Sequence, residues 1–156
     1  LLDHRAIDSG LMKSAAKNHV SLIARTPLSF GFLSGKLYKT THFDKQDHRS
    51  RWPSQQIENW IEGSKKMLSC KTNSFTQTDT QFALRFCLSY PQIATTIPGI
   101  LNNLEVKENI KASDLGPLKN NEVQKVQKTY YEIRSLFEKK HQEKTQIQDL
   151  GKIHEA

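Results

Sequence analysis

The chain has little of what marks a membrane span, a disulfide scaffold or a metal centre. Its apolar runs are short, Leu22-Ile23-Ala24 being typical, against the ~20 residues that a spanning helix needs. The N-terminus shows no charged-then-apolar run with a small-residue cleavage site, so no signal peptide is read there. Cysteine stands only at positions 70 and 87. Two cysteines make neither a disulfide framework nor a metal spacing, and Cys87, in an apolar helical stretch, reads as a small core residue. A reducing cytoplasm is the simplest setting for this usage, and no metal site is expected. The opening residue is Leu1 and not Met, which reads as a start partway into a longer protein.

Positive charge is plentiful, with 23 Lys and Arg against 16 Asp and Glu and a net charge of +7. Such a balance attracts nucleic acid, anionic membranes or phosphorylated small molecules without ranking them. The positive residues are scattered, and over residues 119–144 Lys alternates with Glu as on a solvated face. No zinc-finger spacing or aromatic-basic strip accompanies the charge. Neither a nucleic acid nor a membrane is therefore expected as partner, and the oligomeric state is not legible.

What is present is a helix–strand alternation within the length of one ordinary domain. Residues 7–19 predict a helix with Ile7, Leu11, Ala15 and Ala16 along one side, followed by a strand at 20–25 that Pro27 ends. A polar loop over 28–52 is far longer than usual connections, which suits a functional or mobile segment. Pro53 fits the first turn of a helix carrying Ile57, Trp60, Ile61, Met67 and Leu68. A well-buried helix follows from Thr78 or Asp79 as N-cap, then a strand at 92–97. The next helix opens after Asn102 and stops at Leu115-Gly116-Pro117. A last helix shows Val123, Val126, Tyr130, Ile133 and Phe137 at spacings of three and four, and the polar tail at 145–156 is expected to fray. Strands separated by helices argue for an α/β protein with a parallel sheet. Two strands are too few to be buried on both faces, so the chain reads as the later part of a larger βα repeat.

Several separate segments, in order, resemble the C-terminal half of the aldo-keto reductases. These are "VSLIARTPLSFGFLSGK" at 20–36 and "DTQFALRFCLSYPQIATTIPGILNNLEVKENI" at 79–110. "LLDHRA" at 1–6 is similar to the "NLLDRR" that closes strand six in one branch, and "DHRSRW" at 47–52 is similar to the long-loop segment of that branch. The resemblance covers roughly residues 1–135. It implies the C-terminal part of a (β/α)8 barrel over residues 1–144, with strand seven at 20–25, strand eight at 92–97 and the last helix packed across the barrel. It further implies reduction of an aldehyde or ketone, a small carbonyl compound, by hydride transfer from NADPH or NADH.

Barrel chemistry sits at the C-terminal ends of the strands, and the resemblance assigns residues there. Arg25, Thr26, Pro27 and Leu28 match the "Y-S-P-L" segment that lies along the nicotinamide and pyrophosphate. Thr26, Leu28 and Phe30 would contact the diphosphate side, with Gly31, Leu33, Gly35 and Lys36 wrapping over it. Arg25 departs from the usual Tyr: a guanidinium can stack on the nicotinamide ring, or it points away to pair with a carboxylate. After the second strand, Gly99, Ile100 and Leu101 match the loop around the adenosine ribose, and Glu108 and Asn109 match the pair that bonds the adenine edge. Members using NADPH place Arg or Lys where Gly99, Leu101 or Glu105 stand, so a weakened NADPH preference is expected. Glu105 has two readings, a ribose-hydroxyl acceptor or one half of a capping box turned back to the Asn102 N–H. The family's Asp-Tyr-Lys-His tetrad lies upstream of Leu1, so no catalytic residue is expected in this chain and it should be inactive alone. A non-catalytic module of the same fold is the alternative. His4, His19, His42, His48, His141 and His154 have no role in that scheme and are expected on the surface or in loops.

Overall fold

A computed structural model describes residues 1–72 and 76–137 of the chain. Its order is α1 (Arg5–Asp8), α2 (Leu11–Lys17), β1 (Leu22–Arg25), α3 (Ser54–Leu68), α4 (Asp79–Leu88), β2 (Ile93–Ile97), α5 (Asn103–Asp114) and α6 (Asn120–Ile133). Short 3-10 turns at Ser29–Ser34, His48–Arg51 and Arg134–Leu136 complete it. The final residues of the expected last helix and the tail at 145–156 lie outside the described residues.

The first helix differs from the reading of its sequence. Gly10 takes φ 78°, a left-handed conformation that glycine adopts readily, and this divides the expected helix into α1 and α2. Only Ala15 of the expected stripe is buried, and Leu11 is 44% exposed. The far end of α2 closes with His19 in the left-handed region (φ 53°). His19 N–H donates to Ala16 and Val20 N–H to Ala15, the paired bonds of a Schellman cap. That cap takes Val20 out of the strand, so β1 starts at Leu22.

Caps fix the other helices. Pro53 is the N-cap of α3, one position before the expected first turn, and its carbonyl accepts from Gln56 and Ile57. Thr78 caps α4: its hydroxyl accepts from Gln81 N–H at 3.2 Å while the Gln81 side chain accepts from Thr78 N–H at 3.0 Å. The other end of that amide, Nε2, donates to the Glu108 carbonyl at 3.1 Å and ties α4 to α5. Arg85 holds the turn after α5 through Gly116 and Pro117 carbonyls at 2.7 and 3.0 Å. Glu122 is buried near the start of α6, where it accepts from Thr72 and from Lys119 N–H.

β1 and β2 pair in parallel with Leu22 opposite Ile93 and Arg25 opposite Ile97, and an irregularity between Leu22 and Ile23. A parallel pair needs a crossover, and the 3-10 turns, α3 and α4 supply it. Helices gather on one side of the pair, and the core runs through Phe32, Leu33, Ile61, Met67, Phe82 and Val126. Gly63 in mid-helix leaves room for the Phe137 ring, which any Cβ there would meet. The other face stays open, with Ile23 63% and Ile97 55% exposed. Cys70 is fully buried and Cys87 only half-buried, so the core cysteine is Cys70 more than Cys87; both are free thiols. Among the described residues no helix is long and apolar enough to cross a membrane.

One histidine overturns its expected surface position. His4 is fully buried, stacked on Tyr130 at 3.8 Å and on Phe86 at 5.4 Å between ring centroids. It follows the buried pair Leu1-Leu2, and the aromatic rings of α4 and α6 close over it. Burial pushes its pKa down to about 4.

Candidate nucleotide site

The register of the sheet brings the candidate residues together. Arg25 and Ile97 are partners at the C-terminal ends of the two strands. The loop after β1 and the loop after β2 therefore leave the sheet side by side.

The first loop is conformationally strained. Thr26, Ser29 and Phe30 hold φ of 54°, 47° and 59°, a region that non-glycine residues seldom adopt, and Gly31 and Gly35 follow at 90° and 73°. Such clusters accompany binding and catalytic sites, because the surrounding structure must hold them in place. Two backbone bonds onto the Leu28 carbonyl, from Gly31 and Leu33, fold the loop into its 3-10 turn. That folding divides the candidates. Pro27, Phe32 and Leu33 point into the protein, with Leu33 fully buried, so Leu33 can meet a ligand only through its backbone. Leu28 packs against the core, whereas Phe30 and Lys36 are exposed. Gly35 has a packing reason to be glycine: a Cβ there would run into the Asp79 side chain, which is paired with Lys71. Arg25 is exposed and, among the described residues, pairs with no carboxylate.

The sequence reading missed the residue that holds this loop. Arg49 grips Asp47 through Nε and Nη2 at 3.0 and 2.6 Å, and its Nη1 donates to the Phe30 carbonyl at 2.8 Å. Its guanidinium lies 4.3 Å from the centre of the Phe43 ring. These hydrogen bonds hold the Asp47 carboxyl down to about 2. The signal was the Asp-x-Arg spacing inside "DHRSRW". Phe30 itself leans edge-on against His48 and Trp52, so the long loop is an aromatic-lined structure with two turns rather than a free strap. Arg49→Ala is expected to lower stability, because the Phe30 carbonyl loses a charged donor and Asp47 its partner. Limited proteolysis would then cut within residues 28–52 faster than in the parent.

The second loop caps a helix. Asn102 Oδ1 accepts from Leu104 and Glu105 N–H at 3.0 and 3.1 Å. Glu105 Oε2 accepts from Leu101 N–H at 2.8 Å, so the capping-box reading is not met as stated. It turns back as a cap does, but onto the residue before Asn102. Ile100 and Leu101 stand out at 50% and 92% exposure, and Gly99 has open space around it. Farther along α5, Glu105, Glu108 and Asn109 are all half-buried, as three- and four-residue spacing allows. Among the described residues the buried Asn109 amide nitrogen has no partner. A donor left so is unfavourable by about 1–3 kcal/mol until an acceptor reaches it.

These features suit an adenine nucleotide in part. The orphaned Asn109 N–H offers a donor for a base edge, and the left-handed turn at residues 26–31 brings backbone close to the strand ends. Just ahead of α5, the Glu105 carboxylate already holds the Leu101 backbone N–H. A separate apolar cleft of about 550 Å³ lies between α1–α2 and β1, bordered by Ile7, Met12, Ala24, Cys87 and Tyr90. It touches Arg25, Thr26 and Pro27 but none of the residues after β2. Among the described residues no cluster of His, Cys, Asp or Glu could hold a metal ion.

No curated protein matches the chain. Two solved structures do, the holo and apo forms of the aldo-keto reductase AKR11C1 from Bacillus halodurans. The holo form superposes with a TM-score of 0.58 at 22% identity over 82% of this chain, the apo form with 0.57 at 22% over 81%. The chain spans 39% of the length of either. The likeness fixes the fold: this is the C-terminal part of a (β/α)8 barrel, with β1 and β2 its seventh and eighth strands and α6 its final helix. The sequence model of the aldo/keto reductase family matches residues 1–130, most of the chain. On that match, and on the barrel architecture that agrees with it, the chain belongs to the aldo/keto reductase family.

Proposed function

We propose that this chain is the cofactor-binding half of an NAD(P)H-dependent aldo-keto reductase acting on aldehydes or ketones. The observation that carries the reading is the pairing of Arg25 with Ile97, which sets the two candidate loops at one end of the sheet. When bound, the nicotinamide supplies the hydride. The chain's own part is to hold it. Thr26, Phe30 and the backbone of Gly31 to Gly35 line the diphosphate side, with Lys36 as a point charge. Gly99, Ile100 and Leu101 border the ribose, and Glu108 and Asn109 receive the adenine edge. Arg25 stands free to lay its guanidinium plane on the nicotinamide ring.

The acid–base residues lie outside this chain in this reading. His4 is no substitute, being shut between Tyr130 and Phe86. The test uses the full-length protein that carries this segment. It is mixed with NADPH or NADH and a panel of small aldehydes and ketones, and loss of reduced cofactor absorbance is followed. Carbonyl-dependent oxidation is the expected result. Cofactor binding without turnover would favour a non-catalytic module, and no binding of either cofactor would end the proposal.

A further inference from the structure

We infer that a pocket between α3, the 3-10 turn after β1 and the start of α4 binds a small neutral molecule, a hydroxyl group carried on an apolar ring. The pocket holds about 260 Å³. It includes no residue of the loop after β2, and the inference does not rest on the nucleotide reading. Buried Phe32, Ile61 and Leu68 give it apolar walls, while Ser64 and Asp79 supply polar atoms. Two of those atoms are unsatisfied. Ser64 is 2% exposed, and among the described residues its hydroxyl has no hydrogen-bond partner. It lies on α3 between Ile61 and Leu68, three and four residues away, so the face that packs inward carries it along. A buried hydroxyl in that state is unfavourable until a donor or acceptor reaches it. Asp79 Oδ1 accepts from Lys71 Nζ. Its Oδ2 instead leans over Gly35, where an added Cβ would run into it, and among the described residues it accepts no hydrogen bond.

Water alone is a poor occupant. One water takes about 30 Å³ and needs two to four polar partners. The pocket has room for several, and those beside Phe32, Ile61 and Leu68 would lack partners. An apolar ring displaces them with a gain, and a hydroxyl on it can accept from Ser64 or donate to Asp79 Oδ2. Charge argues for a neutral ligand. An anion would meet the Asp79 carboxylate. A cation would meet Lys71, bound to that carboxylate, and Lys65, which borders the pocket with its ammonium 5.7 Å from the centre of the Tyr38 ring. The volume falls below the ~300 Å³ at which drug-sized sites begin, so a single ring is the fitting size.

The experiment titrates the full-length protein with phenol, toluene and benzoate, which share a ring and differ in the polar group. Methyl NMR shifts at Ile61 and Leu68 report binding in this pocket. Phenol is expected to shift both saturably and to bind about tenfold more tightly than toluene, the worth of one hydrogen bond. Ser64→Ala removes only the unsatisfied hydroxyl. It should melt no lower than the parent and cut the phenol:toluene ratio several-fold. Leu37→Trp, at a half-buried position bordering the pocket, should fill it and abolish the phenol shifts. No saturable shift with phenol overturns the inference, the pocket then holding water only. A ratio near one overturns it too, as does a ratio that Ser64→Ala leaves unchanged or phenol shifts that survive Leu37→Trp. Benzoate binding more tightly than phenol would overturn the neutral class.

Discussion

Acidification from pH 6.5 to about 4 is expected to remove about 3 kcal/mol of stability from this fold. The origin is His4, whose ring is fully buried and whose pKa burial pushes from 6.5 down to about 4. The sign follows from which state holds the proton. Above pH 6.5 the imidazole is neutral in folded and unfolded chains alike, and its titration contributes nothing. Between 6.5 and 4 the unfolded chain takes up a proton that the folded one refuses, so unfolding is favoured progressively. Below about 4 both states are protonated and the loss levels off. At 1.36 kcal/mol per pKa unit the full window gives the figure above. Burial is the largest cause and the Leu1 ammonium adds to it, while Asp8, the Leu1 backbone and Asp3 act the other way. Urea unfolding across this pH range checks it, with His4→Phe as control. Phenylalanine keeps a flat ring between Tyr130 and Phe86 and does not titrate, so the His4 component of the slope should vanish. A slope that persists unchanged in that variant would rule out His4 as its source.

Gly35→Val is expected to destabilise the protein by about 3 kcal/mol. A β-branched residue at φ 73° is a conformational outlier, with strain of about 1–3 kcal/mol. Sterics add to it, because the new Cβ would meet Asp79 Cγ and Cβ at 3.1 and 3.2 Å. Asp79 is not a free surface arm that can swing aside. It pairs with Lys71, whose side chain is only 14% exposed, and it occupies the first turn of α4, where a negative charge is favoured. A double-mutant cycle separates the two causes. Asp79→Ala combined with Gly35→Val should recover the steric part and leave the strain, so the two effects should be clearly non-additive. Strict additivity would mean that Asp79 does not limit the space at Gly35.

The sequence was most legible where the chain's own local chemistry decides the outcome. Thr78 as N-cap needs only Gln81 three residues on, and Asn102 needs only the N–H groups just after it. The stop at Leu115-Gly116-Pro117 is equally local, and the two strands with helices around them gave the right fold class. What escaped depends on atoms far apart in sequence or on a single backbone angle. Gly10 and Gly99 look alike in a sequence, yet only Gly10 takes a left-handed angle that breaks a helix. Leu33 was read as a loop residue over the diphosphate, and its side chain is instead drawn into the core by the 3-10 turn. His4 resembles any polar residue until α4 and α6 close over it. Glu105 reaches Leu101 rather than Asn102 because the loop before α5 presents that N–H, a difference of one residue that spacing cannot resolve. Arg49 acts across the chain on Phe30, which no local pattern announces.

The parallel pairing of Leu22 with Ile93 also governs how the chain reaches its fold. α4, β2 and α5 follow one another directly and pack together, so they can assemble early from neighbouring segments. β1 has no such neighbour. It can dock only after the long loop, α3 and α4 have brought two distant stretches to one place, and the entropy of closing that loop comes before any reward. The sheet is therefore expected to be the slow step of folding. Pro27 and Pro98, one just beyond each strand, lack the N–H that would extend the ladder. While β1 waits, they limit how far its apolar stretch can recruit a wrong partner.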